Sequence, residues 1–116
     1  MKLLDVIKNY YFMAKEIEIE KEIYQDMIQT RESIGLRSDN NSIENYQSRI
    51  HQKQMILHKT LAYVNNIKDP LTRVLLKERY INRKPWKLVA DKLGYSEHSV
   101  YQFHKKIMES LKDIEI

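Results

Sequence analysis

The sequence predicts an all-α protein. Apolar residues recur at intervals of three and four along most of the chain, the spacing that places side chains on one face of a helix. The 116 residues include only two glycines and two prolines, so the chain has few places to turn. Lysine, glutamate, isoleucine and leucine dominate the composition, which also favours helices. A chain of this length corresponds to about one domain.

Two long helices are predicted in residues 1–67, where they form a helical hairpin or coiled-coil-like association segment. The first helix covers roughly residues 3–33, and the second covers roughly residues 42–67. Each carries a heptad-like apolar seam, interrupted at Lys21 in the first helix and at Lys53 in the second. Long helices joined by a short polar loop usually fold back on each other as an antiparallel pair.

A polar segment, GLRSDNNS (35–42), separates these two helices. Gly35 is suited to a C-terminal cap, because glycine adopts the left-handed conformation without a steric penalty. Asn41 is suited to an N-terminal cap, with Glu44 as the capping-box partner three residues later. The sequence therefore predicts that one helix ends and the next begins within about eight residues.

Three shorter helices are predicted in residues 68–116. Pro70 can open the first of them, because proline is tolerated in the first turn of a helix. Pro85 occupies the equivalent place before the second, and Ser96 is suited to cap the third. The expected helices cover about residues 71–81, 86–93 and 97–113.

Basic charge is concentrated in the C-terminal part of the chain. Residues 1–67 carry nine basic and nine acidic residues, whereas residues 68–116 carry eleven basic and seven acidic ones and hold the entire net charge of +4. Between residues 73 and 106, nine basic residues accompany only three acidic ones. Such a run is often a solvated surface, but it is also typical of nucleic-acid binding.

The composition excludes several classes of protein. The chain has no cysteine, so disulfides, thiolate zinc sites and cysteine nucleophiles are excluded. The first 20 residues are interrupted by charges, unlike a signal peptide, and no apolar run approaches the length of a membrane span. We therefore expect a cytoplasmic protein without a membrane partner.

The stretch VADKLGYSEHSVYQFHKK (89–106) has the pattern of a helix-turn-helix. That motif needs a small residue where two short helices meet, a residue that tolerates positive φ in the turn, and buried residues on the second helix. Ala90, Gly94 and Val100 meet these needs in that order. A plain corner between helices shows the same pattern, and the surrounding basic charge favours DNA binding. The predicted motif core is Trp86, Val89, Ala90, Leu93, Gly94, Val100 and Phe103.

The segment LLKERYINRKPWKLVADKLGYSEHSVYQFHKKIMESL (75–111) resembles region 4 of bacterial sigma factors. It is more closely similar to the sigma-region-4-like late transcription regulators of phages and prophages, the ArpU and RinA type. The shared features are Arg79-Tyr80, Trp86, "A.KLGYS" across the turn and "SVY..H.K....L" in the second helix. Region 4 usually opens its first motif helix with a capping Ser or Thr, where this chain has Lys84-Pro85. The resemblance therefore leaves undecided whether the chain contacts RNA polymerase as sigma region 4 does.

The resemblance implies a regulator that reads promoter DNA with the second motif helix, whose first turns enter the major groove. Gln102 can pair with adenine, and Glu97 can accept from a cytosine amino group, although acidic residues are also common in a first helical turn. His98 can donate or accept a hydrogen bond, and Tyr101 can reach a thymine methyl group or a phosphate. The base-reading candidates are Glu97, His98, Tyr101 and Gln102, and the phosphate candidates are Arg83, Lys84, Lys87, Ser96, Lys105 and Lys106.

Catalytic and metal-binding patterns are weak. His51 and His58 share a helical face, but no carboxylate or cysteine completes a metal set. Ser99 and His98 are neighbours on a helix and point apart, so they do not form a nucleophile pair. The chain has no glycine-rich phosphate loop. We expect neither an enzyme nor a cofactor.

The predicted function is sequence-specific transcription regulation on double-stranded DNA, with RNA polymerase as an open second partner. One alternative is a phage small terminase subunit, which also joins a helix-turn-helix to oligomerising helices. Another is a sigma-like protein that binds polymerase without DNA. The apolar seams and zero net charge of residues 1–67 favour a homodimer. The competing arrangement is a monomer whose hairpin closes against the helix at 71–81 and hides the same seams.

Overall fold

A computed structural model confirms the all-α fold class. It describes the backbone of residues 1–34 and 40–116 and the side chains of residues 1–31 and 43–116. The cap expected at Gly35 and the side chain of Asn41 lie outside these residues. The described helices are α1 (Leu3–Ile34), α2 (Asn40–Asn65), α3 (Pro70–Leu76), α4 (Trp86–Leu93) and α5 (Glu97–Leu111), and a π-helical turn (Lys77–Ile81) continues α3.

The hairpin is formed by α1 and α2, which pack along each other and bury Ile17, Ile50 and Leu57 between them. Lys53, which interrupts the apolar seam of α2, forms ion pairs with Glu16 and Glu20 of α1, and its Nζ atom lies 2.6 Å from Glu20 Oε1. The hydrogen bonds to Glu16 and Glu20 raise the pKa of Lys53. The interruption is therefore a polar contact that fixes the register of the two helices. No helix in the described ranges combines the length and the apolar character needed to cross a membrane.

The main hydrophobic core does not divide at the predicted boundary between residues 67 and 68. Leu3, Leu4 and Ile7 at the start of α1 pack in one buried cluster with side chains of α3, α4 and α5. The last residues of the chain cover the same helix end, since the backbone N–H of Leu3 donates to the carbonyl of Ile114 over 2.9 Å. The hairpin is thus fixed to the helices of segment 68–116, in the arrangement considered for a monomer.

Side-chain caps determine where α3 and α5 begin. Asp69 precedes Pro70, and its carboxylate accepts from the backbone N–H of Leu71 at 3.2 Å and from the hydroxyl of Thr72 at 2.8 Å. Ser96 caps α5 as predicted, because its hydroxyl accepts from the backbone N–H of Ser99 at 3.1 Å. The helix expected at 71–81 is α3 plus the π turn, and α5 ends two residues before its predicted end at 113.

Glu78 connects the π turn to α4 and to the linker between them. Its side chain is buried, and its carboxylate lies 2.7 Å from Lys84 Nζ and 3.3 Å from Lys92 Nζ. The side-chain amide of Asn82 donates to the same carboxylate over 3.2 Å. The hydrogen bond from Lys84 is the largest of the effects that hold the pKa of Glu78 below its ordinary value. One carboxylate thus holds the segment that leads into the helix-turn-helix.

Replacing Glu78 with glutamine should lower the free energy of unfolding by about 1.5–3 kcal/mol at pH 7, the range for hydrogen bonds to charged groups. Because the pKa of Glu78 is lowered in the folded state, its contribution is present above the unfolded value of about 4.3. It is lost as the pH falls through the folded pKa. Urea titrations should therefore show a difference between wild type and Glu78→Gln that shrinks from pH 7 to pH 3.

The control is Glu109→Gln, which removes an exposed carboxylate that pairs with Lys112 across one helical turn. This change should alter stability by only a few tenths of a kcal/mol. A Glu78→Gln effect that is independent of pH would contradict the role given to the carboxylate.

Candidate nucleic-acid interface

The turn between α4 and α5 has the geometry that the sequence pattern requires. Gly94 has a φ of +76°, and its backbone N–H donates to the carbonyl of Ala90 over 2.9 Å. The N–H of Tyr95 donates to the same carbonyl over 3.1 Å, so two bonds close the end of α4. Ala90 is almost fully buried, and its small side chain lets α5 approach α4 closely.

The residues predicted as the motif core face the interior, apart from Gly94 in the turn. Val89 and Val100 are fully buried, and Ala90 lies beside them. The larger members of the set pack against the same core while keeping part of their surface exposed, and they are Trp86, Leu93 and Phe103. The inner side of α5 continues this surface through Ile107 and Leu111. These contacts set the orientation of α5.

The opposite side of α5 is polar and exposed. It carries all four base-reading candidates, together with Lys105 and Lys106, at the spacing of one helical face. Glu97, His98 and Gln102 are exposed in the first two turns, where a recognition helix contacts bases. Tyr101 is 46% exposed, and its ring packs on Trp86 with the centroids 5.3 Å apart. Part of the Tyr101 ring is therefore covered by Trp86 and is not available to contact DNA.

Three of the six phosphate candidates are exposed without an ion-pair partner in the described part of the chain, and they are Lys87, Lys105 and Lys106. The other three make intramolecular contacts, of which only the Ser96 cap was predicted from the sequence. Lys84 pairs with Glu78, and the Ser96 hydroxyl caps α5. The guanidinium of Arg83 lies over the ring of Tyr11 on α1, 4.3 Å from its centroid. A phosphate contact by any of these three has to accommodate the existing partner.

An aromatic cluster joins α5 to the π turn, and sequence reasoning missed it. The hydroxyl of Tyr80 and Nε2 of His104 lie 2.6 Å apart and share a hydrogen bond. Trp86 packs edge-on against His104 at 4.7 Å between centroids, and the guanidinium of Arg79 lies 4.5 Å from the Trp86 ring centroid. The only signal was the shared aromatic character of positions far apart in sequence. The cluster fixes α5 to the π turn and to the first residue of α4.

Positive charges lie near this cluster and influence its titratable side chains. Burial lowers the pKa of His104, and the charges of Arg79 and Lys8 lower it further. Burial also raises the pKa of Tyr80. Both side chains are therefore held in their neutral forms at neutral pH, which suits the hydrogen bond between them.

The histidines do not converge on a metal site. His51 and His58 are exposed on α2, and His98 is exposed on α5. Across residues 1–34 and 40–116, no three potential metal ligands are grouped closely enough to hold an ion. The arrangement around α5 offers a contact surface of hydrogen-bonding and basic side chains.

Replacing Gly94 with valine should destabilise the protein by about 1–3 kcal/mol, because a β-branched residue is strained at positive φ. A Cβ atom at this position would meet nothing within 4 Å, so the cost comes from the backbone and not from a clash. Gly94→Asn is the matched control and should cost less, since asparagine tolerates the left-handed region. Thermal or urea unfolding measures both, and a valine variant as stable as wild type would contradict the turn geometry.

Comparisons with known proteins neither add to this geometry nor alter it. No family model matches the chain, and no curated protein or solved structure is significantly similar to it. The functional interpretation therefore depends on the residues of α4 and α5 and on the basic side chains around them.

Proposed function

We propose that the protein is a sequence-specific DNA-binding transcription regulator in which α5 reads the major groove. The observation that carries this proposal is the division of α5 into a buried apolar side and an exposed polar side that begins at its capped N-terminus. Glu97, His98 and Gln102 offer donors and acceptors to base edges from that side. A helix that served only as solvated surface would not need to be held in one orientation by α4 and by the aromatic cluster.

Basic residues around α5 support the same function. Lys105 and Lys106 extend the exposed side of α5, and Lys87 lies in the first turn of α4. Lysines placed beside a base-reading surface position a protein on the duplex through phosphate contacts. Each such contact makes affinity more sensitive to salt, with a slope of about −0.9 for each neutralised phosphate.

The resemblance of residues 75–111 to sigma-region-4-like regulators supports a narrower form of the proposal. The target would be a promoter of phage or prophage origin, and RNA polymerase would be a second partner. Fragments of the source genome retained by the full chain would identify the operator. The full chain is needed, because the start of α1 is part of the core that seats α5.

Gln102→Ala should weaken binding to the identified operator by about 1–3 kcal/mol and relax the preference at one base pair. Binding to random duplex DNA should not change, because the amide carries no charge. Gln52→Ala, an exposed glutamine on α2, is the control and should leave both affinities unchanged. Equal losses on operator and random DNA would refute base reading by Gln102.

We also propose that the protein acts as a homodimer, which would bring two copies of α5 to one duplex. The hairpin seams are used inside the chain, so the contact would depend on exposed apolar residues such as Ile19 and Ile23, one turn apart on α1. Two-fold symmetry would then place the half-sites about one helical turn of DNA apart, or a multiple of that.

Sedimentation at micromolar concentration should give about twice the chain mass of 14.0 kDa. Ile19→Glu should return the protein to a single chain without unfolding it, because the side chain is 57% exposed. The matched control is Gln25→Glu, which places the same charge at another exposed position of α1. A single-chain species that binds one unrepeated site would rule out the dimer.

A further inference from the structure

A cleft of about 240 Å³ lies between the start of α1 and the π turn. Two stretches far apart in sequence, 8–12 and 79–83, form it, and none of its described lining side chains is acidic. Three of its six residues are cationic, and two of these are arginines. The lining residues are Lys8, Tyr11 and Phe12 of α1, Arg79 and Tyr80 of the π turn, and Arg83 of the linker before α4.

The two guanidinium groups are held in place before any ligand binds. Arg79 lies over Trp86 and also donates to the backbone carbonyl of Lys84 over 3.2 Å. Arg83 lies over the rings of Tyr11 and Phe12, with its carbon 4.3 and 4.9 Å from the two centroids. Its φ of 55° lies in the left-handed region that residues other than glycine rarely adopt. Side chains fixed in this way lose little conformational freedom when they bind a ligand.

The positive charge of the cleft is not neutralised by nearby carboxylates. Glu78, in the same π turn, is paired with Lys84 and Lys92 on the side of the linker and α4. Lys8 is exposed and forms no ion pair in the part of the chain that the structure describes. The charges of Lys8 and Arg79 extend to α5, where both lower the pKa of His104.

We propose that this cleft binds a phosphate group. Guanidinium groups hold phosphate oxygens through paired N–H donors, and an ammonium group such as that of Lys8 adds a compact positive charge. The cleft adjoins the reading side of α5, because Trp86 contacts both Arg79 and Tyr101. This phosphate has two candidate sources. One is the DNA backbone beside the groove contact, and that source rests on the proposed function. The other is a free phosphorylated ligand.

The test compares Lys8→Gln with Lys21→Gln. Both lysines are exposed on α1, about 20 Å apart along the helix axis, and only Lys8 lines the cleft. In the first arm, inorganic pyrophosphate is titrated at constant ionic strength while amide shifts are followed by NMR. The amides of Tyr11 and Arg83 should respond in wild type and Lys21→Gln. Lys8→Gln should bind at least tenfold more weakly.

In the second arm, binding of wild type and both variants to duplex DNA is measured across a range of salt concentrations. Lys8→Gln should reduce the magnitude of the salt slope by about one, and Lys21→Gln should leave it unchanged. A difference confined to the DNA arm identifies backbone phosphate as the ligand, and one confined to the pyrophosphate arm identifies a free ligand.

Identical behaviour of Lys8→Gln and Lys21→Gln in both arms would overturn the phosphate site. A wild-type chain that binds no DNA would refute the proposed function alone. The pyrophosphate arm then decides whether the cleft binds phosphate, and an absent response there would reject it.

Discussion

The burial of the first turns of α1 among the C-terminal helices determines how the remaining parts of this molecule are placed. Leu3 and Ile7 are almost completely buried against α3 and its neighbours, and each such side chain stabilises the fold by about 1.5–3 kcal/mol. Because a helix is rigid along its axis, fixing its first turns also fixes the direction of the hairpin. The same docking brings Lys8 and Tyr11 beside the π turn.

Polar contacts complete the arrangement at the two places where apolar packing alone leaves the geometry open. The apolar faces of α1 and α2 could pack in registers that differ by one helical turn. The ion pair between Lys53 and Glu20 selects one of these registers. The linker before α4 has no regular structure, and Glu78 fixes it from the interior through Lys84. In each case a partly or fully buried carboxylate meets a lysine that reaches it from another segment, and the contact compensates the carboxylate's charge.

Local signals in the sequence predicted the elements that depend on local chemistry. The bounds of α4, the cap at Ser96 and the turn at Gly94 follow from residues within a few positions, and the structure agrees with all three. The exposed side of α5 followed from the helix-turn-helix pattern together with the family resemblance. Contacts between distant residues were not predictable, because periodicity identifies an apolar face without its partner. The docking of α1, the Tyr80–His104 bond and the stacking of Arg83 on Tyr11 are of this kind.

The length of α1 has a mechanical consequence. Its 32 residues form a rod about 48 Å long that is rooted at one end in the core supporting α5. A tilt of only about 5° about that root would displace the far end, at Ile34, by about 4 Å, given the rise of 1.5 Å per residue. Conversely, a force applied near Ile34 exerts a large torque on the buried end of α1, because it acts about 48 Å from that end. A force or a movement at the far end of the hairpin is therefore coupled to the placement of α5.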